Sequence, residues 1–77
     1  MPIHIQIKLF ATFLEKLPDN ADHFPVEEGT TVAGLAEVLG IDPKDAKIVF
    51  INGRKGVLDT VLADGDRVGL FPPVGGG

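Results

Sequence analysis

The final seven residues, FPPVGGG, are the part of the chain whose residue types best suit chemistry. Pro72 and Pro73 each fix a φ angle, and Gly75, Gly76 and Gly77 carry no Cβ that would collide with the walls of a narrow channel. When extended, the stretch from Pro73 to Gly77 reaches about 15 Å, enough to bring a terminal carboxylate into a buried site. On composition alone a frayed terminus is the better explanation of these glycines, and a working carboxylate is the alternative.

Three other arrangements look like reactive sites but fit structural roles better. The run 29–34 (GTTVAG) has the glycine spacing of a phosphate-binding loop, yet the Lys and Ser/Thr that should follow are missing, which favours a helix start. His4 and His23 are isolated and lack ligand spacing to any acid cluster, so no metal site is expected. Asp64 and Asp66 flank a glycine, as is typical of a turn. With no nucleophile–base pair in the sequence, an independent enzyme is not predicted.

Composition narrows the class of protein further. The 77 residues have room for one domain, and the absence of cysteine excludes disulfides, thiolate metal sites and cysteine nucleophiles. Eleven acidic residues against seven basic ones give a net charge of −4, which argues against nucleic-acid binding and favours a basic protein surface as partner. We see neither a signal peptide nor an apolar run of the ~20 residues needed to span a membrane, and we expect a soluble cytoplasmic protein.

The elements that position the C-terminal arm begin with two predicted strands. Apolar residues alternate with other residues at the start of the chain, which predicts a strand with one face in the core. The apolar members are Ile3, Ile5, Ile7 and Leu9. A helical turn or a loop is expected over 11–17, and a second short strand over 23–27, where Pro25 indicates an edge or a bulge.

The middle of the chain changes to a helical period. Apolar residues at i, i+3, i+4 and i+7 form one stripe, which predicts a helix with a single buried face. These residues are Val32, Leu35, Ala36 and Leu39. Thr30 or Thr31 is the expected N-cap, and Gly40 is the expected left-handed residue that ends the helix before Pro43.

The rest of the chain returns to strands. They are predicted over 47–51 (KIVFI, a buried strand), 54–58 (a weaker strand or a loop) and 67–71 (RVGLF), with turns at 52–53 and 62–66. Val68 and Leu70 are assigned to the core. At least one of Phe10 and Phe71 is expected to be out of phase with its strand's inward residues, which leaves core packing and partner contact both open. One helix against one mixed sheet predicts a two-layer α+β domain.

Four stretches of the sequence carry a resemblance: IKLFATF, GTTVAGL, VFINGR and LADGDRVGLFPPVGGG. Together they resemble the MoaD/ThiS sulfur carriers, small ubiquitin-like proteins, over nearly the whole chain. FPPV before the diglycine and LFATF after the first strand are more similar to MoaD, the small subunit of molybdopterin synthase. The resemblance implies an α+β, ubiquitin-like β-grasp domain over 1–73, with a mixed four- to five-stranded sheet on one main helix, and a flexible glycine tail over 74–77.

The resemblance also implies that the chain is a protein co-substrate rather than an enzyme. It would act in this way as the small subunit of a molybdopterin synthase-type complex. An E1-like enzyme of the MoeB or ThiF type would use ATP and Mg to adenylate the carboxylate of Gly77, for which Gly76 gives passage. A sulfur donor would then form a thiocarboxylate for the biosynthesis of molybdopterin, the molybdenum or tungsten cofactor. The carrier itself would bind no cofactor. The residues expected to bind the partner are Phe71, Pro72, Pro73, Val74 and Gly75.

The acceptor of the activated tail stays open at this point. A MoaD-like carrier would deliver sulfur to a MoaE-like large subunit of molybdopterin synthase, and a ThiS-like carrier would deliver it to thiazole synthase in thiamine synthesis. A ubiquitin-like modifier would instead join Gly77 to a lysine through an isopeptide bond, and an interaction module would have an inert tail. The carrier and the modifier need the same diglycine, so the sequence does not separate them.

Overall fold

The computed structural model describes residues 2–72. Within this part of the chain the strands are Pro2–Leu9 (β1), Phe24–Glu27 (β2), Ile48–Ile51 (β3), Arg54–Gly56 (β4) and Arg67–Phe71 (β5), and the α-helix is Val32–Val38 (α1). Short 3₁₀ helices occupy Ala11–Lys16, Ala21–His23 and Pro43–Asp45. The element order agrees with the sequence prediction, including the helical turn after β1 and the strand around Pro25.

The strands form one mixed sheet in the order β2-β1-β5-β3-β4. β1 pairs with β5 in parallel, and the other neighbours pair antiparallel. β2, which contains Pro25, lies at one edge, where a residue without an N–H costs the ladder least. β5 therefore lies in the middle of the sheet, with strands on both sides.

One hydrophobic core joins α1 to the sheet. Three residues of the predicted stripe are fully buried, namely Val32, Leu35 and Ala36. The fourth, Leu39, is partly buried and packs against the core. The N-cap is Thr31, whose Oγ1 accepts a hydrogen bond from the backbone N–H of Gly34 at 3.2 Å. From the sheet, alternate residues of β1 and β5 enter the same core, among them Ile5, Ile7, Leu9, Val68 and Leu70.

The predicted turns form as the residues indicated. Asn52 and Gly53 have φ angles of 54° and 80°, the left-handed pair that a two-residue hairpin turn requires. Asp66 accepts the backbone N–H of Ala63 at 2.8 Å within its own turn. Asp64 accepts the backbone N–H of His4 at 2.8 Å, so this turn also ties the 62–66 segment to β1.

The prediction that 47–51 is a buried strand was wrong in part. Val49 is only 3% exposed, but its neighbour Phe50 is 37% exposed. A short apolar run does not reveal whether one or both faces of a strand are covered, and here the core fills only one side of β3. Within residues 2–72, no helix is long and apolar enough to cross a membrane.

Candidate functional site

Three phenylalanine rings meet on the face of the sheet that α1 does not cover. The rings of Phe10 and Phe71 stack with centroids 4.0 Å apart and planes 3° apart. Phe50 meets Phe71 edge-on, with centroids 5.7 Å apart. Offset stacking and edge-to-face contacts are the favourable arrangements for aromatic rings. We call Phe10, Phe50 and Phe71 the aromatic cluster.

The period of the strands places this cluster outside the core. Successive side chains of a strand point to opposite faces, so residues next to buried ones face outward. Phe71 follows buried Leu70 in β5, and Phe50 follows buried Val49 in β3. Phe10 comes directly after buried Leu9 at the end of β1. The chain therefore brings three aromatic residues from three neighbouring strands to one surface.

A glycine gives the cluster its concave shape. Gly69 pairs with Phe50, and a Cβ built on Gly69 would lie 3.6 Å from Cε1 of Phe10 and 3.8 Å from Cβ of Phe50. The resulting cavity has a volume of about 250 Å³. Lys8 and Arg67, both exposed, also line it. This is an apolar hollow with two cations beside it, a form suited to holding an apolar side chain of a partner.

The structure sharpens the sequence prediction for the aromatic residues. At least one of Phe10 and Phe71 was expected to lie out of phase with the core, and both do. Phe50 was not among the predicted partner-binding residues. Its signal was its place in the strand, one residue after an inward-facing valine, but the sequence alone does not show that this face is open.

Of the remaining predicted site residues, Pro72 lies within the part of the chain that the structure describes and the others do not. Pro72 follows Phe71, is half-buried and lies outside the strand. The predictions for Pro73, Val74, Gly75, Gly76 and Gly77 fall outside the described residues. The same limit applies to the predicted boundary between a domain over 1–73 and a tail over 74–77.

The structure corrects the prediction made for the two histidines. His4 and His23 were expected to be isolated, yet their rings stack with centroids 3.9 Å apart and planes 6° apart. The reason is the antiparallel pairing of β1 with β2, which places His4 opposite Pro25 and close to the residues just before β2. Among residues 2–72, no three His, Cys, Asp or Glu side chains are grouped so as to hold a metal ion.

The interior of the described residues is apolar. Every buried side chain in residues 2–72 is apolar, and no buried polar side-chain atom in this part lacks a hydrogen-bond partner.

The chain is similar in sequence to proteins of one family. The model of the ThiS family matches residues 7–77, which include the glycine tail. Small archaeal modifier protein 3 of Haloferax volcanii is 32% identical over 92 residues, and the alignment covers 97% of this chain and 100% of that protein.

Solved structures extend the similarity to the fold. The crystal structure of small archaeal modifier protein 1 of H. volcanii has a TM-score of 0.67 at 28% identity, covering 94% of this chain and 99% of that one. A molybdopterin converting factor subunit 1 from Pyrococcus furiosus has a TM-score of 0.62 at 30% identity, with the same coverage. The ubiquitin-like β-grasp fold that the resemblance implied is thus confirmed.

Proposed function

The chain belongs to the ThiS family of small ubiquitin-like sulfur carriers and modifiers, and from this premise we propose that its reactive group is the carboxylate of Gly77. An E1-like enzyme of the MoeB or ThiF type adenylates this carboxylate with MgATP. A sulfur donor then converts the adenylate to a thiocarboxylate. The chain serves as a protein co-substrate and not as the catalyst.

The two steps balance without any further group from this chain. A carboxylate oxygen of Gly77 attacks the α-phosphorus of ATP, and pyrophosphate leaves. Hydrosulfide supplied by the sulfur donor then attacks the carbonyl carbon of the mixed anhydride, AMP leaves, and loss of a proton gives the thiocarboxylate. The thiocarboxylate sulfur is a soft, ionised nucleophile at neutral pH, which suits it to transferring sulfur to an electrophilic precursor.

The observation that carries the proposal is the position of the aromatic cluster relative to the tail. The family match continues to residue 77, and β5 ends at Phe71, a member of the cluster. A surface next to the root of the tail can bind the activating enzyme while the tail extends into its active site. The exposed apolar cluster thus has the place that a docking surface needs.

Contacts made by the folded domain would also compensate for the conformational entropy that the glycine tail loses on binding. Ordering a glycine costs more conformational entropy than ordering other residues, so three glycines weaken binding unless contacts elsewhere compensate. Buried aromatic residues are among the strongest contributors to interfaces. The net charge of the chain led us to expect a basic partner surface, but Lys8 and Arg67 lie beside the cluster. At this surface they favour a partner that carries acidic residues around an apolar centre.

We propose that the sulfur is used in the synthesis of molybdopterin. A MoaE-like large subunit is then the partner that receives the activated tail. Support comes from the 30% identity to the P. furiosus converting factor subunit and from the FPPV motif before the diglycine. A thiazole synthase would be the acceptor in the ThiS-like alternative.

Intact-mass spectrometry tests the carrier chemistry directly. After incubation with an E1-like enzyme, MgATP and a sulfur source, we expect the mass to increase by the exchange of one oxygen for one sulfur. Deleting Gly77, or adding one alanine after it, should abolish the increase while circular dichroism shows an unchanged fold. An unchanged mass for the intact chain, with an enzyme that shows ATP–pyrophosphate exchange in its presence, would contradict the proposal.

A second function, protein modification, is favoured by the 32% identity to a small archaeal modifier protein. In this function a lysine amine attacks the activated carbonyl of Gly77, and an isopeptide bond forms. Peptide mass spectrometry of cell extracts should then find lysines that carry the C-terminal residues of this chain. Lysine adducts that disappear with deletion of Gly77 would establish the modifier role, whereas thiocarboxylate without such adducts would limit the chain to sulfur transfer.

A further inference from the structure

A second groove lies at the free edge of the sheet, next to β4. It runs between the 3₁₀ helix Pro43–Asp45 and the segment 55–59, and its volume of about 660 Å³ exceeds that of the cavity at the aromatic cluster. Val49 and Gly56, which pair across β3 and β4, line it. Their side-chain positions alternate with those of Phe50 and Lys55, so the groove opens on the opposite face from the aromatic cluster.

The lining of this groove combines an apolar floor with one exposed apolar residue. Ala46 and Val49 are buried, and Leu58 packs partly buried against the core. Val57, in contrast, is 64% exposed and lies beside them in the lining. An apolar side chain from a partner could therefore contact Val57 and the floor together, and such burial would contribute favourably.

The groove is also more basic than the chain as a whole. The side chains of Lys44 and Lys47 line it together with one acid, Asp59, which gives a formal charge of +1, whereas Lys55 contributes its backbone and its side chain lies on the other face. The whole chain has seven basic and eleven acidic residues, so the remainder has five basic against ten acidic, or −5. Asp42, in the adjacent turn, uses its Oδ1 to accept the backbone N–H of Lys44 at 3.0 Å. A ligand drawn to this place by charge is acidic.

The backbone of β4 adds a feature specific to peptides. β4 is the outer strand, and the two-residue turn Asn52–Gly53 makes Ile51 and Arg54 a hydrogen-bonded pair. In an antiparallel ladder the next pair does not exchange hydrogen bonds, so the N–H and C=O of Lys55 point to the open edge. An extended peptide can bond to such an edge as an added strand.

We propose that this lysine groove, lined by the side chains of Lys44, Lys47 and Val57, binds an extended acidic peptide segment of a partner protein. An apolar side chain of the peptide rests on Val57 and the floor, and flanking carboxylates lie near the lysines. The apolar floor and the strand edge favour a peptide over nucleic acid, which needs a more extended array of cations. Because the groove and the aromatic cluster lie on opposite faces, one chain can hold this partner and dock its tail elsewhere at the same time.

Titration of ¹⁵N-labelled protein tests this inference with three synthetic peptides. Each has the same core of alternating Thr and Val, flanked by paired glutamates, paired serines or paired lysines. We expect the glutamate peptide to shift the amide signals of Lys44, Lys47 and 55–58, to bind about tenfold more tightly than the serine peptide, and to weaken as salt rises. No shifts, or shifts centred on the aromatic cluster, would overturn the proposal.

Matched variants separate the groove from general charge effects. The double reversal Lys44→Glu/Lys47→Glu should weaken binding of the glutamate peptide about tenfold or more, whereas Lys16→Glu, in the helix Ala11–Lys16, should change it less than about twofold. Equal losses in both variants, or tighter binding of a DNA duplex than of the peptide, would overturn the inference. A chain lacking Gly77 should bind the peptide normally, which keeps this test independent of the tail chemistry.

Discussion

The two faces of the sheet are both apolar, but they are built from different residues and in different states of burial. The face toward α1 is made of aliphatic side chains such as Ile5, Val68 and Leu70, which are almost completely buried. The open face holds three of the five phenylalanines of the chain, and Phe10 and Phe50 are each 37% exposed. Large aromatic residues normally contribute most when buried, so their placement outside the core supports the docking surface proposed above.

Apolar content alone therefore does not identify the core of this chain. Aliphatic residues pack between the sheet and α1 and hold the fold, whereas on the open face Phe10 stacks on Phe71 and Phe50 meets Phe71 edge-on, beside Gly69. Substitutions among the buried aliphatic residues and substitutions in the aromatic cluster should therefore affect different measurements.

The largest effect on stability is expected from Leu35→Ala on the buried side. Leu35 has no exposed surface in α1, and removing most of its side chain leaves a cavity. We expect the free energy of unfolding to fall by about 2–5 kcal/mol in urea denaturation. Val38→Ala, in the same helix but 67% exposed, should cost less than about 1 kcal/mol. Similar losses in the two variants would contradict the assignment of the buried side.

Phe71→Ala on the open face is expected to weaken binding strongly and to lower stability much less. Phe71 contacts both other rings of the aromatic cluster and lies at the end of β5. We expect the Kd for the E1-like partner to rise about 30-fold, equivalent to about 2 kcal/mol, in calorimetric titration.

A surface leucine provides the control for this prediction. Leu14→Ala removes a 56% exposed apolar side chain outside the cluster and should leave the Kd nearly unchanged. If Phe71→Ala lowered stability as much as Leu35→Ala but left the Kd unchanged, the open face would be structural, and the contrast between the two faces would fail.

The smallest effect is expected from Gly69→Ala at the floor of the aromatic hollow. The new methyl group would meet Phe10 and Phe50 at ordinary van der Waals distances, so we expect stability to change by less than about 1 kcal/mol. Because the methyl group occupies part of the hollow, the Kd for the E1-like partner should rise about threefold. Thermal melting checks the change in stability, and calorimetric titration checks the change in Kd. A loss of stability larger than that of Val38→Ala would show that the site is already tightly packed.

Local sequence signals were sufficient for most of the fold. The alternation in β1, the apolar stripe of α1 and the Asn52–Gly53 turn each depend on neighbours within a few residues, and each prediction was confirmed. The one-sided burial of β3 was not predictable in this way. It depends on what lies over each face of the sheet, which is set by residues far away in the chain.

The candidate site shows the same division. The tail and Phe71 were predicted from the glycine run and from the resemblance of the FPPV segment before it. The role of Phe50 and the lysine groove emerged only from strand register and sheet order, which bring Phe10, Phe50 and Phe71 together and place β4 at an edge. The stacking of His4 on His23 has the same origin, because it depends on the β1–β2 pairing.

The parallel pairing of β1 with β5 has a mechanical consequence. β5 is held on both sides, by β1 and by β3, and its last residue is Phe71. A pull toward the C-terminus therefore acts along the strand, so the hydrogen bonds on both sides resist in shear and share the force. They cannot open one after another, as they would if β5 were peeled from an edge. Traction on the end of the chain thus loads the hydrogen bonds of two strand pairs together.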